Sequence, residues 1–162
     1  MSTAASVIRP ATPADVPLIL TLIRELAAYE KLEHEVVATE AGLADALFGA
    51  RPVAEALIAD VDGEPAAYAL FFPNFSTFLG KPGLYLEDLY VRPAFRGRGI
   101  GRALLQHLAG IAVARGWGRM DWAVLAWNTP AIGFYERLGA RILPDWRTCR
   151  ITGEALARLA RF

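Results

Sequence analysis

Sulfur is scarce in this chain: 162 residues include one cysteine, Cys149, and two methionines. A lone cysteine excludes an internal disulfide, and a reducing cytoplasm is the expected compartment. Histidine is equally rare, and His34 and His107 stand apart without ligand spacing, so they read as ordinary surface or boundary residues and no metal is expected. Charge of one sign is also missing. Lys plus Arg balance Asp plus Glu at 17 each, which leaves no basic field to favour nucleic acid and no acidic tail. Electrostatic recognition must therefore be local. No apolar run approaches the ~20 residues of a membrane-spanning helix, and the opening MSTAASVIRP lacks the apolar core of a signal peptide, so no membrane partner is expected. The sequon Asn74-Phe75-Ser76 reads as chance in that setting.

Repeats, low-complexity tracts and linkers are absent too, and the length suits one domain over residues 1–162. What is present is an apolar content of 54%, enough for a covered sheet with surface left over for a subunit interface. Turn signals arrive at intervals suited to short strands alternating with helices, the pattern of an α/β chain. Residues 6–9 read as a strand. Thr12-Pro13-Ala14-Asp15 then supplies an N-cap, a proline and an acidic third position for a helix ending near Leu32. A second helix is expected from Thr39 to Gly49, capped at both ends. EALIADV and EPAAYALFF, joined by Asp62-Gly63, form a hairpin; Leu84 to Val91 is a further strand. A helix starts near Gly99 and breaks at Gly116 to Gly118. MDWAVLAW is a strand, Thr129 to Leu138 a helix stopped by Gly139, Trp146 to Ile151 a last strand carrying Cys149, and GEALARLARF a terminal helix. Trp117, Trp122, Trp127 and Trp146 are assigned mostly to core or interface.

The segment FRGRGIGRALL crowds three alternate glycines and three arginines into a strand-to-helix turn. Such a turn offers free N–H groups and the positive end of a helix dipole to a phosphate. Gly97, Gly99 and Gly101 let the backbone come close, while Arg96, Arg98 and Arg102 add charge at the rim. Spacing alone leaves this level with a plain turn bearing solvated arginines. The phosphate loops of ATP and of NAD have different spacings, GxxxxGK[ST] and GxGxxG, so neither nucleotide is favoured.

RGRGIG resembles the R/Q-x-x-G-x-G/A signature of the GNAT superfamily of acyl-CoA N-acyltransferases, with Arg96, Gly99 and Gly101 in its fixed positions. YLEDLYVRPAFRGRGIG, AWNTPAIGFYERLGA, WRTCRI, VIRPATPAD and LIRELAAYEKLE are similar in order and spacing to the diamine acetyltransferase branch, which includes polyamine and thialysine acetyltransferases. The resemblance spans nearly the whole chain and is thinnest between residues 36 and 60. It implies a mixed, mostly antiparallel twisted sheet flanked by helices, split between two central strands to hold acetyl-CoA as co-substrate. It also implies a homodimer, although the approach to WRTCRI is shorter here than in the family.

Acetyl transfer to an amine requires a neutral nucleophile, and deprotonating an alkyl ammonium of pKa near ~10.4 at pH 7 costs about 4 to 5 kcal/mol. Glu87 is the candidate acceptor of that proton, directly or through water, since a carboxylate in a partly dry cleft has its pKa raised. An exposed acid on an alternating strand is the competing reading for Glu87 and for Asp88. Tyr135 matches the position that the family uses to protonate the leaving thiolate, and otherwise reads as a core aromatic. The resemblance further assigns the backbone of Leu89, Tyr90 and Val91 to the pantetheine arm, an N–H there to the acetyl oxygen, and the loop through Ile100 to the diphosphate. Asn128, Thr129, Pro130 and Ala131 are expected at the cofactor, with Asn128 equally a helix cap. Tyr29, Glu30, Glu33 and Glu35 form an acidic, aromatic helix end suited to a cation, with a solvated helix end as the competing reading; the resemblance places substrate at Tyr29, Glu30, Asp121, Trp122 and Ala123 as well as at Glu87 and Asp88. The expected function is acetylation of a polyamine or a thialysine-like amino acid in a ternary complex. The alternatives are a non-catalytic acyl-CoA-binding regulator and a protein lysine or N-terminal acetyltransferase.

Overall fold

Alternation of apolar and polar residues forms strands here only where a neighbouring strand accepts them. In the computed structural model, which describes residues 6–161, the chain divides into two compact units, Met1–Ala123 and Val124–Phe162. The first holds β1 (Ser6–Pro10), α1 (Val16–Tyr29), α2 (Glu40–Phe48), β2 (Glu55–Val61), β3 (Glu64–Ser76), β4 (Lys81–Val91), α3 (Ile100–Ala114) and β5 (Met120–Asp121). The sheet runs β1-β2-β3-β4-β5. Its first three pairings are antiparallel and β4 with β5 is parallel, so it is mixed and open.

Asp62 and Gly63 both take left-handed backbone (φ 52 and 81), which matches a tight turn to the twist of β2 and β3. Ile19 and Leu22 of α1 and Leu47 of α2 pack on one face of the sheet with Ile58, Tyr68 and Tyr90. Alternation turns Ala67, Ala69 and Phe71 to the other face. There α3, with Leu104 and Leu108 fully buried, packs against β3 and β4.

Several boundaries differ from expectation. The first helix opens as a 3-10 turn over Pro13–Asp15 and stops at Tyr29, not near Leu32, because Lys31 turns left-handed at φ 61. Gly49 ends α2 with φ −70, so a positive angle is not what selects glycine there; an added Cβ would fall 2.4 Å from the Asp45 carbonyl oxygen. MDWAVLAW contributes only the two residues of β5 to the sheet.

In the second unit the helices are α4 (Thr129–Arg137) and α5 (Gly153–Leu159). Gly139, at φ 95, terminates α4 as the sequence predicts. The strand expected over 146–151 does not form: among the described residues it has no ladder partner, and every residue in it is exposed. A lone extended segment has no hydrogen-bonding neighbour to hold it as a strand. Cys149 therefore lies in an irregular exposed segment, its thiol donating to the Arg147 carbonyl at 3.9 Å. Trp146, 79% exposed, is no core residue. Phe162 of the expected terminal helix and the first five residues lie outside the described residues.

Candidate active site

β4 carries the geometry on which the site depends. Leu70 faces Asp88 and the next residue of β3, Phe71, faces Leu86, so Glu87 is an extra residue, a β-bulge. A bulge bends its strand and brings successive side chains toward one side, whereas regular pleating would send Glu87 and Asp88 to opposite faces. Beyond it the other edge of the strand is open, because β5 pairs only at Leu84 and Tyr85. The Arg92 N–H donates to the Ala66 carbonyl at 2.9 Å and Tyr90 faces Tyr68. By antiparallel alternation the N–H groups of Leu89 and Val91 and the Leu89 carbonyl then point away from β3, to the open edge, while the Val91 carbonyl accepts from Arg96. These are the backbone groups expected to receive an extended ligand.

β4 ends in the glycine turn. After a 3-10 turn at Pro93–Phe95, Gly97 and Gly99 take φ 75 and 80. A Cβ at either would meet nothing within 4 Å, so glycine serves the backbone angle and leaves the concave side of the turn clear. Ala103 N–H donates to the Gly99 carbonyl at 2.9 Å, and helix geometry leaves the N–H groups of Ile100, Gly101 and Arg102 without an intrahelical acceptor. Free amides, a helix dipole and an open surface fit a diphosphate. Arg98 lies over the Phe95 ring at 5.4 Å, and Arg102 is exposed. Arg96 is placed differently from a rim charge. Its Nε donates to the Val91 carbonyl at 2.9 Å, and its guanidinium lies 4.9 Å from the centre of the Tyr29 ring and 5.7 Å from that of Tyr90.

Beside this turn the end of α1 meets the bulge. Asp88 is half-buried, and Tyr68, itself fully buried, donates its hydroxyl to Asp88 Oδ2 at 2.8 Å. Burial pushes the Asp88 carboxyl above the ordinary range, the Tyr68 hydrogen bond opposes this, and the charge of Glu87 adds to it. Glu30 is pushed up by burial and then by Asp88. Burial, and next the charge of Asp88, push the Tyr68 hydroxyl well above the phenol range, so it remains a donor. Tyr85, stacked on Phe72 at 5.2 Å, is raised by burial and by the charges of Glu87 and Asp121. The result is an acidic strand edge bordered by aromatic rings, a surface whose charge suits an organic cation.

Asp121 sits at the far end of the open edge, where it accepts from Arg119 Nε at 2.9 Å and from Asn74 Nδ2 at 3.5 Å. Trp122 is half-buried and Ala123 exposed. The first unit thus brings together Tyr29, Glu30, Glu87, Asp88, Tyr90 and the 96–102 turn. Glu33 and Glu35 form a separate exposed turn, with Glu35 3.3 Å from His34. In the second unit Asn128 caps α4, its Oδ1 accepting from the Ala131 N–H at 3.4 Å, with Thr129 and Pro130 opening the helix. The Tyr135 carbonyl accepts from Leu138 and Ala140 at 3.0 and 3.1 Å, which fixes its backbone at the helix end. Sequence reasoning did not single out Tyr68. Its only signal was a hydroxyl-bearing ring at an inward position of AAYALFF, where an apolar ring would satisfy the packing.

The family model described as the acetyltransferase (GNAT) family matches residues 21–140. A thialysine N-epsilon-acetyltransferase of Sus scrofa is 39% identical, with 97% of this chain and 98% of that protein aligned. An L-ornithine N5-acetyltransferase of Arabidopsis thaliana is 38% identical over 92% of this chain and 85% of its own. Among solved structures, an integron cassette protein from the mobile metagenome of V. cholerae is similar with a TM-score of 0.80 at 26% identity, covering 97% of this chain and 98% of that one. The family model spans most of the chain, the relatives align over nearly all of it, and the open mixed sheet carries the glycine turn at the end of β4: the chain belongs to the acetyltransferase (GNAT) family and is an acetyltransferase.

Proposed function

We propose that this enzyme, acting as one functional domain over 1–162, transfers an acetyl group from acetyl-CoA to the primary amine of a small cationic acceptor, a polyamine or a lysine- or ornithine-like amino acid. One observation carries the reading. The free-amide turn at 97–102 and the open edge at Leu89 and Val91 lie at the same end of β4 as three carboxylates, Glu30, Glu87 and Asp88. The names of the thialysine and ornithine acetyltransferases support the acceptor class.

When bound, the nucleotide supplies an acetyl thioester. Gly97 to Arg102 would hold its diphosphate and Leu89 to Val91 its extended arm, with Asn128 to Ala131 as further contacts. Glu87 accepts the proton that the acceptor ammonium loses before attack. Asp88 and Glu30 hold the remaining positive charge, and Tyr29 covers it. As the nitrogen–carbon bond forms and the carbon–sulfur bond breaks, the nitrogen loses its next proton to solvent, the leaving thiolate takes one up from solvent, and Tyr135 donates a hydrogen bond to that sulfur. The substrates meet in one ternary complex.

The test is free-thiol release from acetyl-CoA with a panel of diamines, ornithine, thialysine, lysine and peptides. Release with the small amines is expected. Release with peptides alone would make the chain a protein acetyltransferase, and none with any acceptor, despite measurable CoA binding, would make it a non-catalytic acyl-CoA-binding protein.

A further inference from the structure

We propose that Tyr68 is a positioning residue that holds Asp88 in the ionised, oriented form in which it seats the acceptor's ammonium. This rests on the assignment of Asp88 to the acceptor site. Tyr68 is fully buried among Ile19, Leu22 and Ile58, surroundings that an apolar ring would fill equally well. Its hydroxyl instead reaches the neighbouring strand, 2.8 Å from Asp88 Oδ2. Asp88 is half-buried, and the bond from Tyr68 falls on Oδ2 and leaves Oδ1 as the oxygen available to a ligand.

The groups that face Asp88 explain why a donor is needed. Glu87 comes from the bulge in β4, Glu30 from the end of α1 and Tyr68 from β3. Burial and the charge of Glu87 favour a protonated Asp88, which would not attract a cation, while the charge of Asp88 in turn pushes Glu30 up. Tyr68 is the group that acts in the opposite sense. It donates to the anion, and it fixes which oxygen stays open.

The experiment compares wild-type enzyme with Tyr68→Phe, Asp88→Asn and the double variant, using acetyl-CoA and the best acceptor of the panel. Tyr68→Phe should raise the acceptor KM about tenfold, the loss of one hydrogen bond to a charged group, with kcat at saturation and CoA affinity nearly unchanged. Because the phenol favours the carboxylate, its removal leaves Asp88 protonated to higher pH, and the acid limb of kcat/KM should move upward. Asp88→Asn should raise KM at every pH, and adding Tyr68→Phe to it should change nothing more. An unmoved limb and KM in a folded Tyr68→Phe, or additive losses in the double variant, would overturn the proposal. A carboxyl-carbon NMR titration of the wild-type enzyme needs no variant. There Asp88 should titrate at lower pH once 1,4-diaminobutane is added, and an unchanged titration would also overturn it. Should the wild-type release no thiol with any amine, the transferase reading fails, while the 1,4-diaminobutane titration still decides whether Asp88 binds a cation.

Discussion

Adjacent carboxylates at the bulge divide the work by their surroundings. Glu87 is exposed and Asp88 half-buried, so in the proposed mechanism the first would exchange protons with solvent and the second would hold a fixed charge. Replacing Glu87 by Gln should lower kcat by about 10²- to 10⁴-fold with little change in CoA affinity, read by thiol release and by nucleotide titration. An equal loss in nucleotide affinity would remove it from proton transfer. Asp88 carries a linked stability effect. Its folded pKa is raised by burial, so the folded state holds the proton more tightly than the unfolded chain, and ionisation costs stability that grows as pH rises through the unfolded and then the folded value. Asp88→Asn should therefore melt above wild-type at neutral pH, with the gap closing as pH falls, while acceptor binding weakens. Tyr135 presents a different limit, since a phenol near ~10 is a weaker acid than a thiol near ~8.5. Tyr135→Phe should slow turnover and spare CoA binding, which fits a hydrogen bond to sulfur that strengthens during reaction.

Between elements, the join of β1 to α1 and β2 is held by one guanidinium. Arg9 bonds both Asp15 oxygens at 2.7 and 3.0 Å and reaches Asp60 at 2.8 Å. The Arg9 hydrogen bond lowers the Asp15 carboxyl to about 2. That difference is worth about 2 kcal/mol, present in full above about pH 4 and lost as pH falls from there toward 2. Asp15→Asn should remove this acid-dependent part of the melting profile. Gly99→Ala should cost about 1 to 2 kcal/mol through its left-handed backbone and weaken CoA binding more than Gly110→Ala, a substitution inside α3 with open space around it. Much at this scale was legible in the sequence. Asp62-Gly63 fixed the hairpin, Gly99 the start of α3 and Gly139 the end of α4 because each is a local backbone demand. The strands over 122–127 and 146–151 were misread because alternation says nothing of whether a partner edge exists. The bulge was hidden for a related reason. A register shift belongs to two strands, and the Tyr68–Asp88 bond joins residues 20 apart whose meeting only that register decides.

For the whole molecule, exposed apolar residues remain in both units, Phe75, Phe78 and Leu79 in the first and Trp146, Leu156 and Leu159 in the second. Such surface supports the homodimer that the family resemblance implies. Light scattering at micromolar concentration should then give twice the protomer's 17.6 kDa, and a mass of one protomer would contradict it. The central claim concerns backbone groups, which side-chain substitution tests poorly. Amide hydrogen exchange with and without CoA reads them directly. Protection should appear at Leu89, at Val91 and across 97–102. Binding that leaves those amides exchanging at their free rates, with protection elsewhere, would contradict the account.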